Sequence, residues 1–170
     1  MSIRDLPSVR RFVPSEWPLY REIRLRALAE SPDAFGSTHS REAQFTDSDW
    51  SDRVNNGCSS GIDLPLLAEI SGKSAGLAWA RFDDTAKEIA TLYQMWVAPE
   101  YRRRGAGRAL VGASVAWAKD MGAKSITLKV TCGDSPALRL YAAAGFMPLG
   151  DVEWLRPGAS LMSQGMVLTL

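Results

Sequence analysis

A run of arginines and glycines in the second half of the chain has the residue types of an anion-binding turn. It reads Arg102-Arg103-Arg104-Gly105-Ala106-Gly107-Arg108 and follows the strand-like segment Ile89–Val97. A helix that begins here would present unpaired backbone N–H groups and about half a positive charge at its N-terminus. Glycines let a phosphate approach that backbone, and arginines add charge-assisted hydrogen bonds. The spacing predicts a phosphate or pyrophosphate site, with a solvated basic turn as the alternative.

Two other phosphate-binding patterns fail in this sequence. The dinucleotide fingerprint G-x-G-x-x-G, started at Gly105, needs a third glycine where the chain has Leu110. The Walker pattern would end at Gly72-Lys73-Ser74, but its first glycine would fall on Leu67 inside a predicted strand. These mismatches argue against an oxidoreductase that binds a dinucleotide and against an ATP-binding protein.

A hydrolase pattern also occurs, in the wrong context. Gly57-Cys58-Ser59-Ser60-Gly61 matches the G-x-S-x-G sequence of a nucleophile turn. That turn needs a strand before it, a helix after it and a histidine later in the chain. The sequence predicts neither element here, and the chain's single histidine, His39, comes earlier. We therefore expect no hydrolase site in this segment.

Composition narrows the classes of protein further. The chain has 170 residues, 46% of them apolar, which suits one domain over residues 1–170. Its net charge of +1 predicts no binding to nucleic acid or to an anionic membrane. We find no apolar run that could span a bilayer and no signal peptide, so we expect a cytoplasmic protein. Two cysteines and one histidine predict neither a disulfide framework nor a metal site.

The elements that must position the turn can be predicted from hydrophobic spacing. After an opening strand at 9–13, Ser15 is expected to cap a helix that ends before Pro32. Two short helical pieces follow, the second capped by Asp47 or Ser48. Residues 55–63 are rich in Asn, Gly and Ser, and they predict a mobile surface loop.

From residue 64 the pattern changes to strands that alternate with helices. Two helices are predicted over 105–121 and 136–144, with Gly122 and Gly145 just after their ends. A polar connection is expected at 83–87. The predicted strands are 64–70, 74–82, 89–97, 125–131, 146–152 and 164–170. This order predicts a mixed α/β domain.

Two motifs together resemble the signatures of the GNAT superfamily of acetyl-CoA-dependent N-acetyltransferases. The first, [Q/R]-x-x-G-x-[G/A], is present as Arg102-x-x-Gly105-x-Gly107. The second, N-x-x-A-x-x-L-Y-x-x-x-G-F, matches residues 134–146, with Asp134 in place of the asparagine. The resemblance is strong over residues 64–152. It implies an α/β (α+β) fold, with a mixed, mostly antiparallel sheet whose two central parallel strands splay apart and with helices on both faces.

The resemblance implies acetyl-CoA as the co-substrate and no metal. The pantetheine arm is expected between the splayed strands, against the backbone of Met95, Trp96 and Val97. Asp134 and Ala137 are also expected at the cofactor, although a carboxylate cannot donate the hydrogen bond that the family's amide donates. The turn residues expected to hold the pyrophosphate are Arg102, Arg103, Arg104, Gly105, Ala106, Gly107 and Arg108.

Catalytic roles follow from the same resemblance. Tyr141 matches the family tyrosine whose hydroxyl faces the cofactor sulfur, so it is expected to be the general acid that protonates the departing thiolate. A core tyrosine on an apolar helix face is the alternative interpretation. The general base stays open, because the strand Ile89–Val97 holds no carboxylate. Glu88, Glu69 and His39 are the candidates.

The acceptor is expected to be a primary amine that attacks the thioester directly in a ternary complex. Charges in 17–46 are mixed rather than acidic, which favours a small metabolite, an amino acid or a protein N-terminus over a polyamine. The alternative function is a CoA-binding sensor or interaction module without catalysis. Whether the C-terminal strands pair two copies into a homodimer stays open.

Overall fold

The described part of the chain contains seven strands and five α-helices. The computed structural model describes residues 6–83, 85 and 88–170. The strands are β1 (Ser8–Arg11), β2 (Asp63–Ile70), β3 (Lys73–Asp83), β4 (Ile89–Val97), β5 (Ser125–Thr131), β6 (Met147–Trp154) and β7 (Met162–Thr169). The helices are α1 (Trp17–Glu30), α2 (His39–Glu42), α3 (Asp47–Ser59), α4 (Ala106–Asp120) and α5 (Pro136–Ala143).

All seven strands belong to one mixed sheet in the order β1-β2-β3-β4-β5-β7-β6. Every neighbouring pair is antiparallel except β4 and β5, which are parallel. The predicted fold class is therefore confirmed, including the central parallel pair.

Helices cover both faces of the sheet because the side chains of its inner strands point alternately to two apolar cores. In β2, Leu66 and Ala68 pack with α4, whereas Leu67 packs on the opposite face with α1 and α3. In β3, Ala78 packs on the face that α4 covers, and Trp79 packs on the face that α1 and α3 cover. Burial of a leucine side chain contributes about 1.5–3 kcal/mol, so both cores hold the helices against the sheet.

The two parallel strands pair over three positions and then separate. Ile89, Ala90 and Thr91 of β4 pair with β5, after which β4 follows β3 and β5 follows β7. Two residues of β4, Gln94 and Met95, lie opposite one residue of β3, and Gln94 has a left-handed φ of 57°. This β-bulge bends β4 away from β5. The splayed strands that the resemblance implies are confirmed.

The second half of the chain follows the predicted elements closely. The bounds of β4 and β5 match the prediction, and α4 and α5 end before Gly122 and Gly145, which have positive φ. Strand β6 ends two residues later than predicted, at Trp154, and β7 begins two residues earlier, at Met162. The predicted polar connection lies mostly outside the described residues. None of the described helices is long and apolar enough to cross a membrane.

The loop predicted at 55–63 is wrong, because α3 continues to Ser59. Gly57 explains the difference, since a Cβ on this residue would lie 2.3 Å from the ring of Trp79. The glycine lets the helix pack directly on the sheet, and this packing outweighs the low helix propensity of Asn, Gly and Ser. The G-x-S-x-G pattern therefore lies at the end of a helix and forms no nucleophile turn.

The predicted caps of two helices are also wrong. Thr46, not Asp47 or Ser48, caps α3, and its side chain forms a capping box with Asp49. Ser15 lies in a short 3-10 turn, and the residue at the N-cap of α1 is Glu16. The end of α1 before Pro32 agrees with the prediction.

Candidate active site

The arginine–glycine turn connects β4 to the N-terminus of α4. Gly105 occupies the N-cap of α4 with φ of 89°, a left-handed conformation that costs other residues roughly 1–2 kcal/mol. The first bond of the helix runs from the N–H of Ala109 to the carbonyl of Gly105 at 2.9 Å. The N–H groups of Ala106, Gly107 and Arg108 precede it, so they have no acceptor within the helix. The turn thus has the free N–H groups that the predicted anion site requires.

Side chains of β4 and α5 pack against Gly107. A Cβ on Gly107 would lie 3.1 Å from Leu140 Cδ2, 3.5 Å from Met95 Cε and 3.7 Å from Val97 Cγ2. Glycine is therefore favoured at the two positions of the motif for different physical reasons. Gly105 adopts a left-handed backbone conformation, and at Gly107 a side chain would press on Leu140.

A cleft of about 560 Å³ opens where β4 and β5 separate. Seven of the predicted cofactor residues line this cofactor cleft, together with Tyr141: Met95, Trp96, Val97, Arg102, Gly107, Asp134 and Ala137. The remaining predicted residues do not line it. Arg103, Arg104, Gly105 and Arg108 are exposed on the turn and the first turn of α4, and Ala106 is buried in the core. Ala106 can contribute to the site through its backbone N–H, because its side chain packs inward.

Arg102 is engaged by the protein itself. Its Nη2 donates to Glu30 at 2.7 Å and its Nε donates to the carbonyl of Val97 at 3.0 Å. Glu30 also accepts a hydrogen bond from Trp96 Nε1 at 2.9 Å. Burial opposes ionisation of Glu30, but the hydrogen bonds from Ser31, Trp96 and Arg102 prevail and lower its pKa to about 2. Arg102 therefore fixes the shape of the turn.

Glu30 is a site residue that the sequence analysis missed. It ends α1 and lines the cofactor cleft 72 positions before its partner Arg102. The sequence gives no local signal for this contact, because a carboxylate at the end of a helix is normally solvated.

Asp134, at the family's asparagine position, pairs with Arg139 of the next helix. Its neighbour Ser135 caps α5 by accepting a hydrogen bond from the N–H of Leu138 at 3.1 Å. The exposed Asp134–Arg139 pair and the Ser135 cap both lie at the start of α5, which carries Tyr141 on its buried face.

A second cavity of about 560 Å³ lies on the other side of the β4 bulge. We call it the acceptor cavity. Four residues line both this cavity and the cofactor cleft: Ala34, Met95, Lys129 and Tyr141. The two spaces therefore meet beside the Tyr141 side chain.

Tyr141 is 6% exposed, and its ring packs edge-on against Phe146 at 5.9 Å. Its hydroxyl has no hydrogen-bond partner within the described part of the chain, although the side chain lines both cavities. Burial raises the pKa of Tyr141, so the phenol stays protonated at neutral pH. A protonated hydroxyl at the junction of two cavities can donate a hydrogen bond or a proton to a bound reactant.

The structure does not bring the three base candidates to the site. Glu69 pairs with Arg10, Glu88 pairs with Lys124, and His39 is exposed on α2. Among the described residues, the carboxylates that line the acceptor cavity are Asp151 and Glu153 of β6. Glu153 pairs with Lys129, which lowers the pKa of Glu153. Sequence reasoning missed both, because β6 reaches the site only through its pairing with β7.

Comparisons with known proteins agree with this geometry. The model of the acetyltransferase (GNAT) family matches residues 23–146. A mycothiol acetyltransferase of Clavibacter sepedonicus is 32% identical over 130 residues, which cover 76% of this chain and 41% of that protein. This chain therefore spans less than half the length of that relative.

Solved structures show the same fold at low sequence identity. A GNAT-family acetyltransferase of Streptococcus pneumoniae superposes with a TM-score of 0.78 at 20% identity, covering 96% of this chain and 99% of that one. An acetyltransferase of Salmonella typhimurium, described as putative and solved with its cofactor acetyl-CoA, gives a TM-score of 0.75 at 18% identity, covering 96% and 94%.

Proposed function

The chain belongs to the GNAT acetyltransferase family, and from this premise we propose that it transfers an acetyl group from acetyl-CoA to a primary amine. The observation that carries the proposal is the position of Tyr141, whose side chain lies where the cofactor cleft and the acceptor cavity meet. A thioester bound in the cleft would reach the acceptor at this point. We infer direct attack within a ternary complex, because two cavities that share Tyr141 can hold both reactants at once.

Backbone groups supply most of the proposed cofactor contacts. Among the described residues, no strand pairs with the edge of β4 that faces β5 beyond Thr91. Apart from the Val97 carbonyl, which accepts from Arg102, the N–H and carbonyl groups of that edge are available to the amides of the pantetheine arm. The N–H groups at the start of α4 would hold the pyrophosphate. Arg103, Arg104 and Arg108 would add positive charge from the exposed side of the turn.

The proposed reaction begins when the free amine attacks the thioester carbonyl carbon. An N–H of Met95 or Trp96 would stabilise the negative charge that develops on the carbonyl oxygen. The C–S bond then breaks, and the Tyr141 hydroxyl donates its proton to the departing thiolate. The acceptor nitrogen loses its proton to Asp151, directly or through a water. Asp151 is chosen because it lines the acceptor cavity and has no ion-pair partner within the described residues.

Transfer to an amine panel tests this proposal. Wild-type protein, acetyl-CoA and each amine are incubated together, and the acetylated amine is identified by mass spectrometry while CoA release is measured. The proposal predicts CoA release that depends on the amine and matches the amount of acetylated product. Tight binding of acetyl-CoA with no transfer to any amine would favour the non-catalytic CoA-binding module. The cytoplasmic location stays a prediction, and the pairing of two copies through the C-terminal strands stays open.

A further inference from the structure

A third cavity of about 310 Å³, which we call the arginine niche, continues from the acceptor cavity. Both spaces are lined by Phe35, Gly36, Tyr93 and Gln94. Gln94 precedes Met95 of the cavity junction, and adjacent residues of a strand are about 3.3 Å apart. A small molecule with its amine at the junction would therefore reach the niche with its other end.

The charged side chains that line the niche are mostly cationic. They are the three guanidinium groups of Arg24, Arg41 and Arg53 and the carboxylate of Glu42. Arg24 and Glu42 are each 3% exposed. Arg24 and Glu42 balance each other, so the surplus positive charge of the niche comes from Arg41, which is exposed, and from Arg53, whose side chain is 29% exposed. The balance of charge in the niche therefore favours an anion.

Both carboxylate oxygens of Glu42 accept hydrogen bonds from arginines of the niche. Its Oε1 accepts from Arg24 Nη2 at 2.8 Å, and its Oε2 accepts from Arg24 Nε at 3.0 Å and from Arg53 Nη1 at 3.1 Å. This carboxylate is therefore a poor partner for a substrate ammonium group. Its contacts instead hold Arg24 and Arg53 in fixed orientations.

The donors that remain point to an oxygen ligand. Arg24 Nη1 is buried and has no hydrogen-bond partner among the described residues. Arg41 is exposed at the niche, and within the described part of the chain its guanidinium forms no ion pair. Gln94 accepts a hydrogen bond from Tyr20 through Oε1, which leaves its Nε2 to donate. A buried guanidinium nitrogen without an acceptor is costly, so Arg24 marks the niche as a site that an oxygen ligand would complete.

We propose that the amine acceptor carries an anionic oxygen group, in the smallest case a carboxylate, that binds in the arginine niche. The inference rests on the proposed function, and it narrows the acceptor to amino acids and related amines with an acidic end. Arg24 Nη1, Arg41 and Gln94 Nε2 would donate hydrogen bonds to the anion, and Arg53 would add positive charge. A polyamine would bring a second cation into this niche and is excluded.

The test compares pairs of acceptors that differ only at the acidic end. Each amino acid is assayed beside its neutral carboxamide, at saturating acetyl-CoA and at a pH where both amines are largely unprotonated. The inference predicts that kcat/KM of the acid exceeds that of the amide by about ten-fold or more, since one hydrogen bond to a charged group has at least this effect. In Arg41→Gln the ratio should fall toward one, and in Arg41→Lys it should partly recover.

Arg21→Gln is the matched control, because Arg21 lies on the exposed side of α1 and pairs with Asp47 outside the niche. It should keep the wild-type ratio. Amides that match or exceed their acids in the wild type would overturn this inference and leave the proposed function intact. Acids that keep their preference in Arg41→Gln would overturn the assigned role of the niche. Failure of every amine to be acetylated would overturn the proposed function, and this inference with it.

Discussion

Replacing Tyr141 by phenylalanine removes one oxygen atom from the junction of the two cavities. The ring is 6% exposed and its edge-on contact with Phe146 does not involve the hydroxyl, so packing should be preserved. Because no described protein group bonds to that hydroxyl, its loss leaves no unsatisfied partner, and the free energy of unfolding should change by less than about 1 kcal/mol. Affinity for CoA should stay within about two-fold of the wild type.

The effect on kcat should be large. Positioned acid–base groups contribute about 10²–10⁴ in rate, or about 2.7–5.4 kcal/mol of activation free energy. We expect Tyr141→Phe to lower kcat by at least about ten-fold at saturating acetyl-CoA and amine. CoA release is followed with a thiol reagent, and Tyr101→Phe is the control, because Tyr101 is partly buried beside Arg104 and lines neither cavity. A kcat within two-fold of the wild type at the optimal pH would refute the role of Tyr141 as general acid.

Three further predictions follow from the turn, the end of α1 and the buried phenol. Gly107→Val should weaken CoA binding by about ten-fold or more, because the new side chain would crowd Met95 and Leu140. Gly112→Val, at an open position of the same helix, should leave CoA binding unchanged. Calorimetric affinities of the two variants within two-fold of each other would contradict this prediction. Glu30→Gln should weaken CoA binding by releasing Arg102, and it should lower stability by up to about 1 kcal/mol at neutral pH. Because the folded pKa of Glu30 is depressed, its contribution is present above about pH 4.5 and should disappear toward pH 2, which urea unfolding at several pH values would show or refute. Finally, because the pKa of Tyr141 is raised, ionisation of its hydroxyl should cause no loss of kcat as the pH is increased to about 10. A loss of kcat in the wild type at lower pH that is absent in Tyr141→Phe would contradict this prediction.

The parts of the fold that local pattern determines were predictable from the sequence. The bounds of β4 and β5 matched, since each is a short apolar segment with a clear break on either side. The two family motifs also located the turn before α4 and Tyr141 on α5. These features depend on residues that are close together in the sequence.

The parts that failed depend on contacts between distant segments. A polar, glycine-containing stretch remains helical through Ser59 because Gly57 packs on Trp79, 22 positions later. Glu30 and Asp151 approach the site from α1 and β6, and neither shows a local signal of its role. Sequence spacing cannot report such contacts, because they are set by the packing of whole elements.

The arginine niche is a further feature that depends on contacts between distant segments and that sequence spacing does not predict. No sequence pattern singles out Arg24 or Arg41, and only the folded chain brings them together with Gln94 at one cavity. The mixed charge of 17–46 argued against a cluster of carboxylates in that segment, but two carboxylates of β6, Asp151 and Glu153, line the acceptor cavity. It gave no indication that the cations would collect on one side.

The most direct test of the central claim is a calorimetric titration of the purified protein with acetyl-CoA, with CoA, NAD and ATP as comparison ligands. We expect micromolar binding of acetyl-CoA and CoA, about one molecule per chain, with affinity strongly reduced in Gly107→Val and no comparable binding of NAD or ATP. Absence of acetyl-CoA and CoA binding would mean that the gap between β4 and β5 and the turn before α4 do not form a cofactor site, and the proposed acetyl transfer would fail with it.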